Sequence, residues 1–149
     1  KGITIKQVEE AFKKARTAGL KTLAHFIFGL EEDATHQNKL IDFCLSLDSD
    51  YASFNIAAPA WNTSFREHVI SNGWLIEDGV EMDSSCSYPI WERASLKRRD
   101  VWDMRNNAVK KFYMRPGFIL KYIKGIKTPY QLSSFLRDGI NFLLNSEER

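Results

Sequence analysis

The chain has 149 residues, 44% hydrophobic, 13% aromatic and 27% charged, a composition that supports one ordinary globular core and excludes an intrinsically disordered protein. No apolar run approaches the roughly 20 residues that span a bilayer, and the opening KGITIKQVEE has no apolar signal-peptide core, so the expectation is a cytoplasmic protein with no membrane among its partners. The net charge of +2 hides an asymmetry, because residues 1–90 carry 8 Lys+Arg against 13 Asp+Glu while residues 91–149 carry 13 against 6.

Taken in order, Thr4-Ile5-Lys6-Gln7 has the form of a capping box, with a hydroxyl for the amide three residues on and a glutamine reaching back. It predicts a helix from Ile5 to Ala18 that carries Val8, Ala11, Phe12 and Ala15 and stops at Gly19, which suits the left-handed position after a helix end. Residues 20–28 are apolar on both parities, with Leu23, Ala24, Phe26, Ile27 and Phe28, as in a central parallel strand covered on both faces. After the acids Glu31, Glu32 and Asp33, Thr35 is the expected N-cap of a second helix whose stripe is Leu40, Ile41, Cys44, Leu45 and Leu47. Asp48-Ser49-Asp50 breaks it, and residues 51–58 read as a second strand ending at Pro59. Helix, strand, helix, strand, with a connection long enough to cross over, predicts part of a parallel α/β sheet or barrel.

Thr63 is the expected cap of a short helix through Ile70, closed by Asn72-Gly73. Residues 74–90 are irregular and predict a loop with at most a short strand. Helix resumes near Ser95, with Val101, Met104, Ala108, Val109 and Phe112 on one face, and breaks at Arg115-Pro116-Gly117. A short helix follows over 118–123. Thr128-Pro129-Tyr130-Gln131 then combines N-cap, proline at the first helical position and glutamine at the third, opening a last helix. The organisation expected is a first part over 1–90 and a helical part over 91–149. A start without methionine, in the approach to a helix, predicts a piece of a longer protein.

Little chemistry announces itself. His25, His36 and His68 have no metal-ligand spacing among themselves or to Cys44 or Cys86. His25, inside an apolar strand, reads as a core imidazole unless it faces the ligand side of a sheet, and Cys44, on the apolar helix face, reads as packing. Cys86 has no cationic neighbour in sequence that would activate it. There is no nucleophile elbow and no glycine-rich phosphate loop. Glu31, Glu32 and Asp33 read as solvated turn acids near a helix N-terminus or, because ligands of α/β folds gather beyond the carboxyl ends of strands, as site residues beside Gly29 and Pro59.

Two stretches together resemble the radical S-adenosylmethionine enzymes. His25-Phe26-Ile27-Phe28-Gly29-Leu30-Glu31-Glu32 is similar to their GxIxGxxE strand, and Pro59-Ala60-Trp61-Asn62-Thr63 to their Pro-x-x-Gly-Thr loop. Ala108–Pro116, AVKKFYMRP, with the aromatic and basic residues that follow, resembles the helical extension of the cobalamin-binding-type subgroup of iron–sulfur oxidoreductases. Ile27, Gly29 and Glu32 match the strand motif, His25 stands where its first glycine is usual, and Asn62 replaces the glycine before Thr63, in a left-handed turn that asparagine tolerates.

The resemblance implies the C-terminal part of a parallel (β/α) barrel over 1–90, followed by a helical extension over 91–149. It implies Ile27, Gly29, Glu32 and Pro59 beside S-adenosylmethionine, bound jointly with the upstream barrel half of a parent chain that acts on a small-molecule or other substrate. The parent would cleave S-adenosylmethionine reductively to a 5′-deoxyadenosyl radical with a 4Fe-4S cluster, in this subgroup with cobalamin as well. The cluster motif CxxxCxxC is missing, so this chain is expected to be inactive alone, and a half-barrel's uncovered strand edges and apolar face predict that it either self-associates or unfolds easily. The alternative is a non-catalytic interaction module in which Arg98, Arg99, Lys110, Lys111 and Arg115 present a basic helical face to an acidic partner or RNA. Asp100, Asp103 and Asp138, interleaved with that face, argue for plain solvation and against nucleic acid. A third reading is a metabolic barrel with Glu32 as base.

Overall fold

In the computed structural model, which describes residues 2–30, 34–77 and 88–144, the chain divides into two compact units, Lys1–Val109 and Lys110–Arg149. The described elements are α1 (Ile5–Thr17), β1 (Leu23–Phe28), α2 (Ala34–Ser46), β2 (Tyr51–Ile56), α3 (Ser64–Ser71), α4 (Arg98–Tyr113), α5 (Pro116–Lys124) and α6 (Pro129–Leu144). The fold is mixed α/β, and its one described sheet pairs β1 with β2 in parallel, in the register Leu23↔Tyr51 to Phe28↔Ile56.

Local chemistry accounts for the first unit's element ends. The Gln7 amide donates to the Thr4 hydroxyl (3.2 Å) and the Thr4 amide to Gln7 Oε1 (2.8 Å), which completes the expected capping box. At the other end of α1, Gly19 takes φ +75° while its amide bonds the Arg16 carbonyl and the Leu20 amide the Ala15 carbonyl. This is the paired 5→2 and 6→1 closure that lets the chain turn at once into β1. The helix α3 closes in the same way, with Gly73 at φ +65° and bonds from Gly73 to Ile70 and from Trp74 to Val69. At its start the Thr63 hydroxyl accepts from the Arg66 amide, as expected.

The core of this unit lies on one side of the sheet. Ala24, Phe26, Phe28, Ala52, Phe54 and Ile56 are buried together with Ile41, Cys44 and Leu47 of the crossover helix and its end. Phe26 stacks on Phe54 at 5.8 Å and meets Phe43 of α2 edge-on at 6.4 Å, the offset and T-shaped geometries that aromatic rings favour. At the amino ends of the strands Asp50 accepts from the Thr22 amide (3.0 Å) and from Lys21 (3.1 Å), while Arg16 donates to the carbonyls of Leu47 and Asp48. The polar break after α2 thus ties the helix end to the helix before and the strand beside it.

Three expectations change. The first strand is not covered on both faces, because its burial alternates strictly and Leu23 and Ile27 remain 52% and 48% exposed. Thr35 falls inside α2, which begins at Ala34. The fourth helix begins at Arg98 rather than near Ser95, since Arg93 and Leu96 first close a tight turn through reciprocal backbone bonds. There Glu92 accepts from Lys97 Nζ (3.1 Å) and from the Arg98 amide (3.4 Å), and Asp100 from the Lys97 amide (3.1 Å). The Lys97 bond, with help from the Arg98 amide, holds the Glu92 carboxyl below the ordinary glutamate range.

The second unit is helical, as expected. Pro116 opens α5 at its first positions. Thr128 and Gln131 form the anticipated reciprocal cap of α6, with the Gln131 amide on the Thr128 hydroxyl (3.2 Å) and the Thr128 amide on Gln131 Oε1 (3.2 Å). Ring contacts run from Phe112 and Tyr113 through Phe118 and Tyr122 to Phe135 and hold the unit together.

Candidate functional site at the carboxyl edge of the sheet

Because β1 and β2 are parallel and in register, both end at the same edge, Phe28 beside Ile56. The Ala57 amide then bonds the Phe28 carbonyl (2.8 Å) and carries the pairing one step further. This is the end of a parallel sheet at which ligands of such folds collect, and three of the four residues assigned to a cofactor from the sequence lie at or near it. Glu32, with Glu31 and Asp33, lies outside the described residues, as does Cys86.

Gly29 turns the chain out of β1 at φ +96° and is buried. A β-carbon placed on it would stand 3.1 Å from Trp91 Cζ2 and 3.3 Å from Val101 Cγ1. Its missing side chain therefore makes room for the indole, and a ligand at this edge would meet only Gly29's backbone. Trp91 is itself fully buried and donates from Nε1 to the Ala57 carbonyl (2.8 Å), so one side chain packs on the end of β1 and is bonded to the end of β2. Around it Ala57, Val69 and Ile90 are buried, and Phe65 meets the indole edge-on at 5.4 Å.

Pro59 is fully buried, and its carbonyl accepts from Arg66 Nη1 (3.2 Å). The Arg66 guanidinium is in turn buried beneath the exposed Trp61 ring, 3.7 Å from its centroid, a cation–π contact shielded from solvent on one side. Asn62 adopts the left-handed conformation expected of it, φ +61°. A second guanidinium, Arg93, donates to the Gly29 carbonyl at 3.4 Å, and its Nε is buried without a hydrogen-bond partner among the described residues.

The face that remains open carries Leu23, His25 and Ile27 of β1 across from Tyr51, Ser53 and Asn55 of β2. His25 is on this face and exposed, so it is not a core imidazole; the register sets it opposite Ser53, and Ile27 opposite Asn55. Ser53 and Asn55 are linked by a 3.4 Å hydrogen bond. An imidazole, a hydroxyl and an amide among aliphatic groups can orient a ligand by hydrogen bonds and contact, and the Ser53 hydroxyl is hydrogen-bonded to Asn55 and not to the His25 imidazole across from it. Among the described residues no group of three or more His, Cys, Asp or Glu is arranged to hold a metal ion. Cys44 is buried in the helix-covered core. This chain therefore offers no ligand set for an iron–sulfur cluster among its described residues.

Sequence reasoning missed Trp91, Arg66 and Arg93. The sequence signal for Trp91 was weak, a single tryptophan after Pro89-Ile90 in a stretch read as loop.

Comparison with known proteins gives one informative match. The chain is 31% identical over 124 residues to an uncharacterized methyltransferase of Pyrococcus horikoshii, a match that takes in 83% of this chain and 27% of that protein. The chain thus spans about a quarter of the length of the curated relative it matches. No protein-family profile and no solved structure matches it.

Proposed function

We propose that this chain supplies one wall of an S-adenosylmethionine site in a methyltransferase-like parent, and that the parent is a radical S-adenosylmethionine enzyme. The observation that carries the reading is the parallel β1–α2–β2 unit whose second face is left open at the carboxyl edge, with Ile27 48% exposed on it. The named methyltransferase relative and the left-handed Asn62 turn in a Pro-x-x-Asn-Thr loop both support it.

In this reading Ile27 packs against the flat face of the bound nucleoside, while His25, Ser53 and Asn55 offer donors and acceptors to its polar groups or to a substrate beside it. Gly29 and Pro59 shape the edge from behind, through Trp91 and Arg66. The cluster that supplies the electron for reductive cleavage, and any cobalamin, would be held by residues outside this chain, and the upstream half of the barrel would cover the open face.

The test is anaerobic reconstitution of the full-length parent followed by measurement of 5′-deoxyadenosine. The coding sequence upstream of Lys1 should contain CxxxCxxC, and Ile27→Asp should weaken S-adenosylmethionine binding about tenfold or more, as expected for a charge buried against a ligand, with the iron–sulfur absorbance unchanged. A parent without those cysteines, or binding indifferent to Ile27, would refute the proposal.

A second reading, a binding module with a basic helical face, has support at Lys110 and Lys111, which are exposed. Arg98 pairs with Glu77, Arg99 with Asp103, and Arg115 lies over the Phe112 ring, so those three cations are already engaged.

A further inference from the structure

Residues 110–127, KKFYMRPGFILKYIKGIK, contain six lysines and arginines and no acid. Within the second unit this stretch leaves large apolar side chains in solvent beside its cations: Met114, Leu120 and Ile123 are 46%, 58% and 47% exposed, and Lys121, Lys124 and Lys127 are exposed as well. On α5 the 100° step per residue sets Ile123, Leu120, Lys124 and Lys121 in that order around the solvent sector, an aliphatic strip bordered by an ammonium strip. Phe118 and Ile119, on the remaining sector, are half-buried.

From this arrangement we infer that α5 and the turn after it dock on an anionic lipid bilayer surface, with Leu120 and Ile123 entering the headgroup–acyl boundary and Lys121, Lys124 and Lys127 meeting lipid phosphates. Cations flanking an apolar strip are the pattern of a helix that lies in a membrane interface. That no helix of the described residues is long and apolar enough to cross a membrane is compatible with such a position.

Nucleic acid fits the same charge less well. Base stacking needs ring faces; on α5 the exposed strip is aliphatic, and although Tyr122 and Tyr130 are 43% and 75% exposed, Tyr122 has one face stacked on Phe135 at 4.9 Å and Tyr130 lies beyond the strip on α6. The inference does not rest on the S-adenosylmethionine reading.

The experiment is co-sedimentation of the chain with vesicles of phosphatidylcholine alone and of an equal mixture of phosphatidylcholine and phosphatidylglycerol. The expected result is binding to the mixed vesicles only, weakened by salt. Replacing Lys121, Lys124 and Lys127 by glutamine should lower the affinity on the order of a hundredfold, at about fivefold for each cation lost at the surface. Leu120→Ser with Ile123→Ser should lower it about tenfold or more. All five positions are exposed or border solvent, and an unchanged circular-dichroism melt checks that the fold survives. Replacing Lys6, Lys13 and Lys14 of α1 by glutamine removes the same charge elsewhere and should leave binding unchanged.

Equal loss in that control set would reduce the effect to net charge and overturn the inference. So would binding to neutral vesicles as strong as to the mixed ones, binding to single-stranded RNA that these substitutions weaken while vesicles are ignored, or self-association of the chain that the Leu120 and Ile123 changes abolish in place of vesicle binding.

Discussion

The two faces of the β1/β2 sheet are built from the same two strands and end in opposite states. On the closed face Ala24, Phe26, Phe28, Ala52, Phe54 and Ile56 are all buried, with Ile41 and Cys44 of α2 among the core they share. On the open face Leu23, Ile27 and Tyr51 stand about half exposed beside His25, Ser53 and Asn55. The closed face accounts for why the unit folds. The open face mixes apolar groups with polar ones, a composition that is costly to bury without partners and useful for contacting a ligand. The difference teaches that stability and recognition are separated here by strand parity, so a substitution one residue along β1 should move from one property to the other.

The sharpest way to break this comparison is to cut into the closed face. Phe28→Ala leaves a cavity under Phe54 and should destabilise the chain by about 3–5 kcal/mol, read as a lowered midpoint in denaturant or as failure to fold; a loss below 1 kcal/mol would mean that this face is not the core. Next comes the junction of the faces, where Gly29→Ala must both hold φ +96° and push Trp91 aside. Its expected cost is about 1–3 kcal/mol, measurable by thermal unfolding. Removing the α3 cap with Thr63→Ala should cost about 1 kcal/mol, and Thr63→Ser should restore most of it.

Smaller effects sharpen the contrast. Glu92, held below its ordinary range by Lys97 and the Arg98 amide, favours the folded state fully above the unfolded-state value, and this contribution is lost as pH falls through the lowered folded-state value. Glu92→Gln should therefore lower the melting temperature slightly at neutral pH, and the gap to the unaltered chain should close in acid. A gap that persists there would point to packing instead. Least of all, Ile27→Ser on the open face should leave stability within about 0.5 kcal/mol. A large loss would show that the open face is covered by the chain's own residues.

Much of the fold was legible because local chemistry carries it. Thr4 with Gln7, Gly19, Thr63, Asn72-Gly73 and Thr128-Pro129-Tyr130-Gln131 each mark a helix end by side-chain or backbone requirements that act within a few residues, and each is found in place. The parallel crossover was legible for a similar reason, since strand, helix and strand follow one another directly. What was not legible depends on partners far along the chain. Apolar residues on both parities of β1 suggested cover on both sides, but periodicity records what could be buried and not what is present to bury it.

The candidate site was half visible. Gly29 and Pro59 were marked by position, yet neither residue type reveals that an indole from residue 91 and a guanidinium from residue 66 pack on or bond to them. Asn62 was readable as a left-handed turn because asparagine tolerates that conformation.

The indole of Trp91 has a consequence for the order in which the chain acquires its shape. Contacts between β1, α2 and β2 close over about thirty residues, whereas Trp91 reaches back 34 positions to Ala57 and further still to Gly29. Contacts of longer sequence separation carry a larger loop-closure cost and tend to form later. The strand pair, 28 positions apart at Leu23↔Tyr51, is therefore expected to close before the Trp91–Gly29 contact, 62 positions apart, an order that amide-exchange labelling during refolding would test.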